Sequence, residues 1–191
     1  MSRAERHRQL MEHAWRLIRE EGTDALTLAR LGEVAGVTKP LVYDHFETRT
    51  GLLASLYRKY DLRQISLMDE ALQAGTPDLL SRATVIAAAY VGCVLEQGRE
   101  ISGVIAALAG SPELEALRWE CEAIFMERCR IALSPFAGER PLSTAGLRAM
   151  LGAAEALSCA AARGEISAAE AEEELSGMIV AVVSRRGSDV R

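Results

Sequence analysis

The sequence contains little of what strands need and little of what breaks helices. Aromatic residues make up 5% of the 191 residues, proline occurs five times, and β-branched runs are few, whereas alanine and leucine dominate. Strands usually need β-branched or aromatic runs, and alanine and leucine are strong helix formers. The composition therefore excludes a protein built mainly of sheets and predicts an all-α fold.

Cysteines are few, and long hydrophobic runs are missing. The four cysteines have no paired spacing; they are Cys93, Cys121, Cys129 and Cys159. This distribution argues against a disulfide framework or a metal site and favours free thiols in a reducing cytoplasm. No apolar run reaches the length of a membrane span, and the N-terminal stretch MSRAERHRQL is charged throughout. We therefore expect a cytoplasmic protein with neither a transmembrane helix nor a signal peptide.

Motifs that carry catalysis are missing as well. The sequence has no glycine-rich phosphate loop after a strand, no HExxH, no nucleophile elbow and no His/Cys cluster with metal-ligand spacing. The three histidines all lie in the first 45 residues, with no Asp/Ser constellation around them. We therefore expect no catalytic residues, no cofactor and no metal.

The net charge of −5 becomes informative when the chain is divided. Residues 1–60 carry ten Lys/Arg and eight Asp/Glu, a balance of +2, whereas residues 61–191 carry twelve and nineteen, a balance of −7. Positive charge is thus relatively concentrated in the N-terminal third, which is the distribution that binding to phosphate groups requires.

Residues 27–53 have the pattern of two short helices joined by a tight turn and followed by a third helix. Thr27 can cap the first helix with its hydroxyl, and Leu28 and Leu31 begin an apolar face at helical spacing. Gly36 stands where this helix should stop, because glycine enters the left-handed conformation without steric cost. The layout is that of a helix-turn-helix, which places its second helix in the major groove of DNA.

The second helix of the pair is predicted from Thr38 onward. Thr38 is a candidate cap, and Pro40 falls in the first turn, where a missing N–H costs little. Val42 and Phe46 are four residues apart and can pack inward. The side chains left for the outer surface are Lys39, Leu41, Tyr43, Asp44 and His45.

This segment resembles the DNA-binding region of TetR-type transcriptional regulators. The resemblance is carried by Thr27, Ala35-Gly36-Val37-Thr38, Tyr43, His45-Phe46 and Arg49. Two positions depart from the family pattern. Arg49 stands where the family usually has lysine, which preserves the charge, and Gly32 replaces part of an Ile-Ala-type pair, which we expect to weaken that helix.

The resemblance implies a DNA-binding domain in residues 1–50 and a helical effector-binding and dimerisation domain in residues 51–191. The N-terminal head would contain three helices, including the helix-turn-helix, and the C-terminal part would be a helical bundle. The sequence pattern predicts helices over about residues 3–21, 48–72, 77–97, 101–109, 112–133, 143–164 and 167–186, besides the helix-turn-helix pair.

The resemblance also implies roles for individual side chains of the motif. Five of them resemble the family's phosphate contacts: Thr27, Thr38, Tyr43, His45 and Arg49. Lys39 is the candidate for a base contact, because a lysine at the start of a recognition helix can reach guanine O6 or N7. Pro40 and Leu41 can touch thymine methyl groups, and Asp44 can accept from cytosine N4 or repel wrong registers.

In this family the helices between about residues 62 and 133 would enclose a pocket for a small-molecule effector. The candidate lining residues are Tyr90, Cys93, Trp119, Glu122, Met126 and Cys159, although the pattern at each of them taken alone favours plain core. The last two long helices are rich in small side chains that allow close approach, so the resemblance implies that they form a homodimer interface. Ordinary packing within one chain is the alternative explanation.

Two questions stay open at this point. A helical adaptor that binds protein and has lost specific DNA binding is the alternative to a regulator, and the complete Thr38, Tyr43, His45 and Arg49 set argues against it. Whether a regulator represses or activates depends on the position of its operator. The expectation is a homodimeric repressor that binds a palindromic operator and is released by an unidentified small molecule.

Overall fold

The structure is a computed structural model that describes residues 2–97, 99–139 and 141–185. Throughout these ranges the chain forms helices joined by short turns, with no strand. The helices are α1 (Arg3–Glu21), α2 (Leu28–Ala35), α3 (Lys39–Phe46), α4 (Arg49–Ala74), α5 (Leu79–Gln97), α6 (Arg99–Leu108), α7 (Pro112–Leu133), α8 (Thr144–Arg163) and α9 (Ala168–Ser184). The predicted all-α fold is confirmed.

Helix boundaries follow the capping residues of the sequence. Ser2 and Ser167 each form a capping box with the glutamate three residues later, which satisfies free amides at the starts of α1 and α9. Gly36 and Gly164 end α2 and α8 in the left-handed conformation, with φ of 65° and 76°. The predicted limit of the last helix at residue 186 lies outside the described residues.

The chain divides into two compact units. The first combines the segment up to Asp61 with Gln97–Trp119, so that α6 belongs with the N-terminal helices. Its core contains Leu10, Leu17, Leu31, Phe46, Leu52, Leu53 and Leu108, all buried. Within this unit α6 contacts both α1 and the short 3₁₀ turn Thr23–Ala25.

The second unit combines Leu62–Glu96 with the segment from Glu120 onward. Its hydrophobic core draws side chains from all its helices, including Met68, Ile86, Val91, Leu133, Leu147, Leu175 and Ile179. Helices α8 and α9 pack along each other.

Helix α5 is the most apolar element of the second unit. Among the described residues, α5 is long and apolar enough to cross a membrane. This is weak evidence for a membrane span, because buried core helices meet the same criteria of length and composition. We expected its run at residues 85–91 to be enclosed on all sides. Ile86, Ala87 and Val91 are buried, whereas Val85 and Tyr90 are only half-buried. The run is therefore only partly buried by the described part of the chain.

Candidate DNA-binding surface and interior cavity

Helices α2 and α3 form a helix-turn-helix whose turn is held by backbone hydrogen bonds. The Thr27 hydroxyl accepts a hydrogen bond from the amide of Arg30 at 3.1 Å, as expected of a cap. At the other end of α2, Gly36 adopts the left-handed conformation and the amide of Val37 donates to the carbonyl of Gly32 at 3.0 Å. The local sequence therefore fixes where α3 begins.

Gly32 allows α2 to lie close to the turn and to α3. A Cβ atom at this position would lie 3.3 Å from the carbonyl oxygen of Val37 and 3.5 Å from a methyl group of Val42. We expected the glycine to weaken α2, as its conformational entropy suggests. The structure adds a compensating reason for it, since the buried backbone at Gly32 is part of the contact between the two helices.

Helix α3 separates into a buried side and an exposed side. Val42 and Phe46 are buried in the first unit, which confirms their predicted inward packing. Lys39, Pro40, Tyr43 and Asp44 are exposed, and Leu41 and His45 are half-buried. Tyr43 is 50% exposed, an unusual fraction for an aromatic side chain with no role at the surface. The outer surface predicted for α3 is therefore present.

Thr38 takes the capping position of α3 without capping it through its side chain. Its backbone is extended, as at other N-caps, but its hydroxyl makes no hydrogen bond to the amides of the first turn. Thr38 is therefore the N-cap residue, as predicted, but its side chain does not take part in the capping. Because Pro40 removes one amide from the first turn, less is lost by leaving the hydroxyl at the exposed surface.

Arg49 holds two segments of the first unit together. Its Nε donates to the carbonyl of Leu26 at 2.8 Å, and its Nη2 donates to the carbonyl of Thr23 at 2.9 Å. These bonds tie the first residue of α4 to the segment that precedes α2. Sequence reasoning assigned Arg49 to phosphate and missed this role, because its partners are backbone atoms more than twenty positions away.

The N-terminal turn of α1 lies against the end of α3. The Arg3 Nη2 donates to the carbonyl of Asp44 at 2.8 Å, and the ring of His7 lies 5.7 Å from that of His45 and 5.1 Å from that of Phe46. Burial lowers the pKa of both histidines, with a further lowering by neighbouring positive charge. The crowded positive start of α1 is visible in the sequence, but the pairing of the two histidines is not.

Helix α6 forms an ion pair with α1 and lies close to the 3₁₀ turn Thr23–Ala25. The carboxylate of Glu100, which is 8% exposed, pairs with the guanidinium of Arg19. A Cβ atom at Gly103 would clash with the hydroxyl oxygen of Thr23. Nothing in the local sequence pattern points to this contact, because its partners are some eighty residues apart.

A cavity of about 10 Å³ lies inside the second unit, between α5, α7, α8 and α9. That volume is on the order of the room needed for one water molecule. Two of the predicted effector residues, Tyr90 and Met126, line it. The other lining residues are Ile86, Phe125, Cys129, Leu147, Met150, Leu151, Ala154, Leu175 and Ile179.

The other four predicted effector residues do not line this cavity. Cys93 is buried on α5, Cys159 is half-buried on α8, and Trp119 on α7 is 58% exposed. Glu122 forms an ion pair with Arg148 of α8. Sequence reasoning took all but one of its candidates from residues 62–133, whereas the cavity is also lined by apolar side chains of α8 and α9.

Cys129 and Met150 are cavity residues that the sequence did not single out. Burial raises the pKa of the Cys129 thiol to about 12, so this thiol is uncharged at neutral pH. The sequence does place both residues on the apolar faces of helices. It does not distinguish them as cavity residues, because every core residue of a helix shows the same spacing. Among the described residues, no group of three or more His, Cys, Asp or Glu is placed to hold a metal ion.

Small side chains occupy the exposed faces of α8 and α9. Ala145, Ala149, Gly152 and Ala156 follow each other at helical spacing on α8, and Gly177 and Ala181 do so on α9; all are exposed. Such faces permit two helices to approach closely.

Comparisons with known proteins agree with this geometry. Residues 10–56 match the model of a family described as bacterial regulatory proteins, tetR family. None of the curated proteins compared with the chain matches it.

Several solved structures share the fold at low sequence identity. A candidate TetR-family transcriptional regulator from Rhodococcus sp. has a TM-score of 0.79 and 23% identity, over 95% of this chain and 100% of that one. A TetR-like transcriptional regulator from Rhodococcus sp. RHA1 has a TM-score of 0.73 and 19% identity, over 95% and 97% of the two chains.

The fatty acid degradation regulator FadR from Bacillus halodurans has a TM-score of 0.74 and 13% identity, over 95% and 96% of the two chains. At such identities the likeness shows the fold alone. Residues 10–56, which contain the helix-turn-helix, therefore match the tetR family model, and the described chain shares its fold with solved structures of TetR-type transcriptional regulators.

Proposed function

We propose that this protein is a homodimeric repressor that binds a palindromic operator through α3 and is released by a small molecule bound in its second unit. The observation that carries the proposal is the division of α3 into an anchored side and an exposed polar side. Val42 and Phe46 hold the helix in the core, while Lys39, Tyr43 and Asp44 face solvent. A recognition helix needs this arrangement to enter a major groove.

The phosphate contacts are assigned to Thr27, Thr38, Tyr43, His45 and Arg49. The cap at Thr27 uses only the accepting capacity of its hydroxyl, so the O–H can still donate to a phosphate oxygen. The Thr38 hydroxyl makes no capping bond, and Tyr43 is exposed. These groups fix the position of the protein on the duplex without reading sequence.

The base contacts are assigned to the first turns of α3. Lys39 is exposed at the start of the helix, where its ammonium can reach guanine O6 or N7. Pro40 and Leu41 offer apolar surface to thymine methyl groups, and Asp44 can accept from cytosine N4. The proposed DNA-binding domain, residues 1–50, lies within the first compact unit.

Dimerisation is assigned to the exposed small-residue faces of α8 and α9, about residues 143–164 and 167–186. A two-fold axis would present two recognition helices to successive major-groove faces of a palindromic site, about 34–36 Å apart. The effector-binding and dimerisation domain, residues 51–191, would then set this spacing. We place the protein in the cytoplasm, where both DNA and small-molecule effectors are accessible.

Effector control follows from linkage. A ligand shifts the balance between DNA-competent and released geometries only by the difference in its affinity for the two. We assign the effector site to the cavity lined by Tyr90 and Met126.

Selection from random duplex DNA, followed by sequencing, tests the proposal. We expect enrichment of a palindrome whose half-sites lie about one helical turn apart, with affinity that falls as salt rises. No enrichment, with only weak salt-sensitive binding, would refute operator recognition and favour the adaptor alternative.

A further inference from the structure

The interior cavity of the second unit is lined without any charged side chain. Its eleven lining residues are aliphatic, aromatic or sulfur-containing, and the polar groups among them are the Tyr90 hydroxyl and the Cys129 thiol. A charged group moved into such surroundings loses its hydration and gains no counter-charge, which is strongly unfavourable. The lining therefore selects against ions.

The Cys129 thiol supplies no charge to the lining at neutral pH. Burial holds the Cys129 thiol in its protonated form, with a pKa of about 12. The ring of Tyr90 packs edge-on against Phe125 at 5.4 Å between centroids, so part of its surface is engaged in apolar contact.

Two charged residues at positions close to the lining along the chain are paired with each other. Glu122 stands one helical turn before Met126 on α7, and Arg148 directly follows Leu147 on α8. The Arg148 guanidinium pairs with the Glu122 carboxylate, which is 13% exposed. A ligand carboxylate could recruit Arg148 only by displacing Glu122 and leaving that carboxylate without this partner.

The lining can also change shape. Met126 and Met150 both contribute to it, and methionine is unbranched and adapts its packing more readily than other apolar side chains. The cavity measures about 10 Å³, so an organic ligand needs these side chains to move before it can enter. Apolar interiors of this kind bind apolar molecules.

From the uncharged lining, the pairing of Glu122 with Arg148 and the two methionines, we infer that the effector of this protein is an uncharged, predominantly apolar organic molecule. That the ligand acts as an effector rests on the proposed function. The chemical class of the ligand is inferred from the lining of the cavity alone. Ionised ligands of the same size are excluded by their charge.

Calorimetric titration of the full-length protein, without DNA, tests whether the cavity binds uncharged ligands more tightly than ionised ones. The probes are linear 1-alkanols of six to twelve carbons, and the carboxylates and alkylammonium ions of the same chain lengths, at pH 7.5. We expect saturable binding of at least one alkanol and at least about 30-fold weaker binding of both ions of that length. Equal or tighter binding of either ion, or no saturable binding of any alkanol, would overturn the inference.

A substitution that fills the cavity tests whether the alkanol binds there. Ala154 lines the cavity and is 3% exposed, whereas Ala123 is exposed on α7 and lies outside it. Ala154→Leu should lower alkanol affinity at least about tenfold, and Ala123→Leu should leave it unchanged. If thermal denaturation shows that Ala154→Leu does not fold, Ala154→Val places a smaller group at the same position. Unchanged affinity in a folded Ala154 variant would show that the alkanol binds elsewhere and would contradict the inference.

The readouts separate this inference from the proposed function. Alkanol binding without operator recognition would refute the regulator and leave the cavity chemistry standing. Operator recognition by a protein that binds only charged probes would do the reverse.

Discussion

Lys39 and Tyr43 lie four residues apart on the exposed side of α3, but their side chains offer different chemistry to DNA. Lys39→Ala should relax discrimination at one base position, because it removes a donor to a base edge. Tyr43→Ala should weaken binding by a similar factor on all sequences and flatten the salt dependence. Affinity measured on a panel of single-base operator variants at two salt concentrations distinguishes the two. If both variants behaved in the same way, the assignment of Lys39 to a base and Tyr43 to phosphate would be wrong.

Arg49 has a structural role that is separable from any contact with phosphate. Arg49→Met keeps much of the side-chain length but removes the hydrogen bonds to the carbonyls of Leu26 and Thr23. Since hydrogen bonds to charged groups contribute about 1.5–3 kcal/mol each before solvent exposure is considered, we expect a loss of roughly 1–3 kcal/mol in unfolding free energy. Chemical denaturation measures it. A variant with wild-type stability and weakened DNA binding would make Arg49 a phosphate contact only.

The paired histidines make stability depend on pH. The pKa values of His7 and His45 are lowered in the folded protein, so the unfolded chain binds more protons below the ordinary value of about 6.5. Stability should therefore fall as the pH drops from 7.5 towards 6, and the double variant His7→Gln/His45→Gln should show a shallower fall. Urea denaturation across this range measures the slope. An unchanged slope in the variant would refute the role of the pair.

At the scale of single helices, some glycines are required by close packing, whereas others only lower the helix propensity. A Cβ atom at Gly51 would lie 2.3 Å from the carbonyl oxygen of Phe46, so Gly51→Ala forces apart the junction of α3 and α4. Gly92 lies in the interior of α5 with nothing within 4 Å of such an atom. We expect Gly51→Ala to destabilise by more than about 1 kcal/mol, and Gly92→Ala to stabilise by about 0.5–1 kcal/mol. Thermal and urea denaturation compare them; equal effects would contradict the packing described at Gly51.

The helices could largely be predicted from the sequence, because their ends depend on nearby residues. Ser2 with Glu5, Gly36 and Ser167 each determine a boundary within one turn. The same local logic divided α3 into its buried and exposed sides. It also placed the start of α3 at Thr38, but it did not show that the Thr38 hydroxyl makes no capping bond.

Contacts between distant segments could not be predicted in this way. The bonds of Arg49 to backbone carbonyls, the contact of the His7 ring with the His45 ring and the pairing of Arg19 with Glu100 all join residues far apart in the chain. No periodicity encodes such pairs. For the same reason only Tyr90 and Met126 of the predicted effector residues line the interior cavity.

For the whole molecule, the proposed dimer depends on the exposed small-residue face of α8. A glutamate at Ala156 would place an unpaired charge in the proposed two-fold interface, which disfavours association. Ala156→Glu should give a monomer in sedimentation analysis and lower operator affinity at least about 100-fold. Ala123→Glu adds the same charge at an exposed position of α7 and should leave the dimer intact. A dimeric Ala156→Glu protein would place the interface elsewhere.

Recognition of a palindrome by two copies of α3 is the central claim. The most direct measurement is the affinity of the wild-type protein for the selected operator, compared with a duplex of the same length and composition in which one half-site is scrambled. We predict at least about 100-fold tighter binding to the intact palindrome at physiological salt, since specific sites typically exceed non-specific DNA by about 10³ or more. Equal affinity for the two duplexes would contradict a dimeric operator-binding regulator.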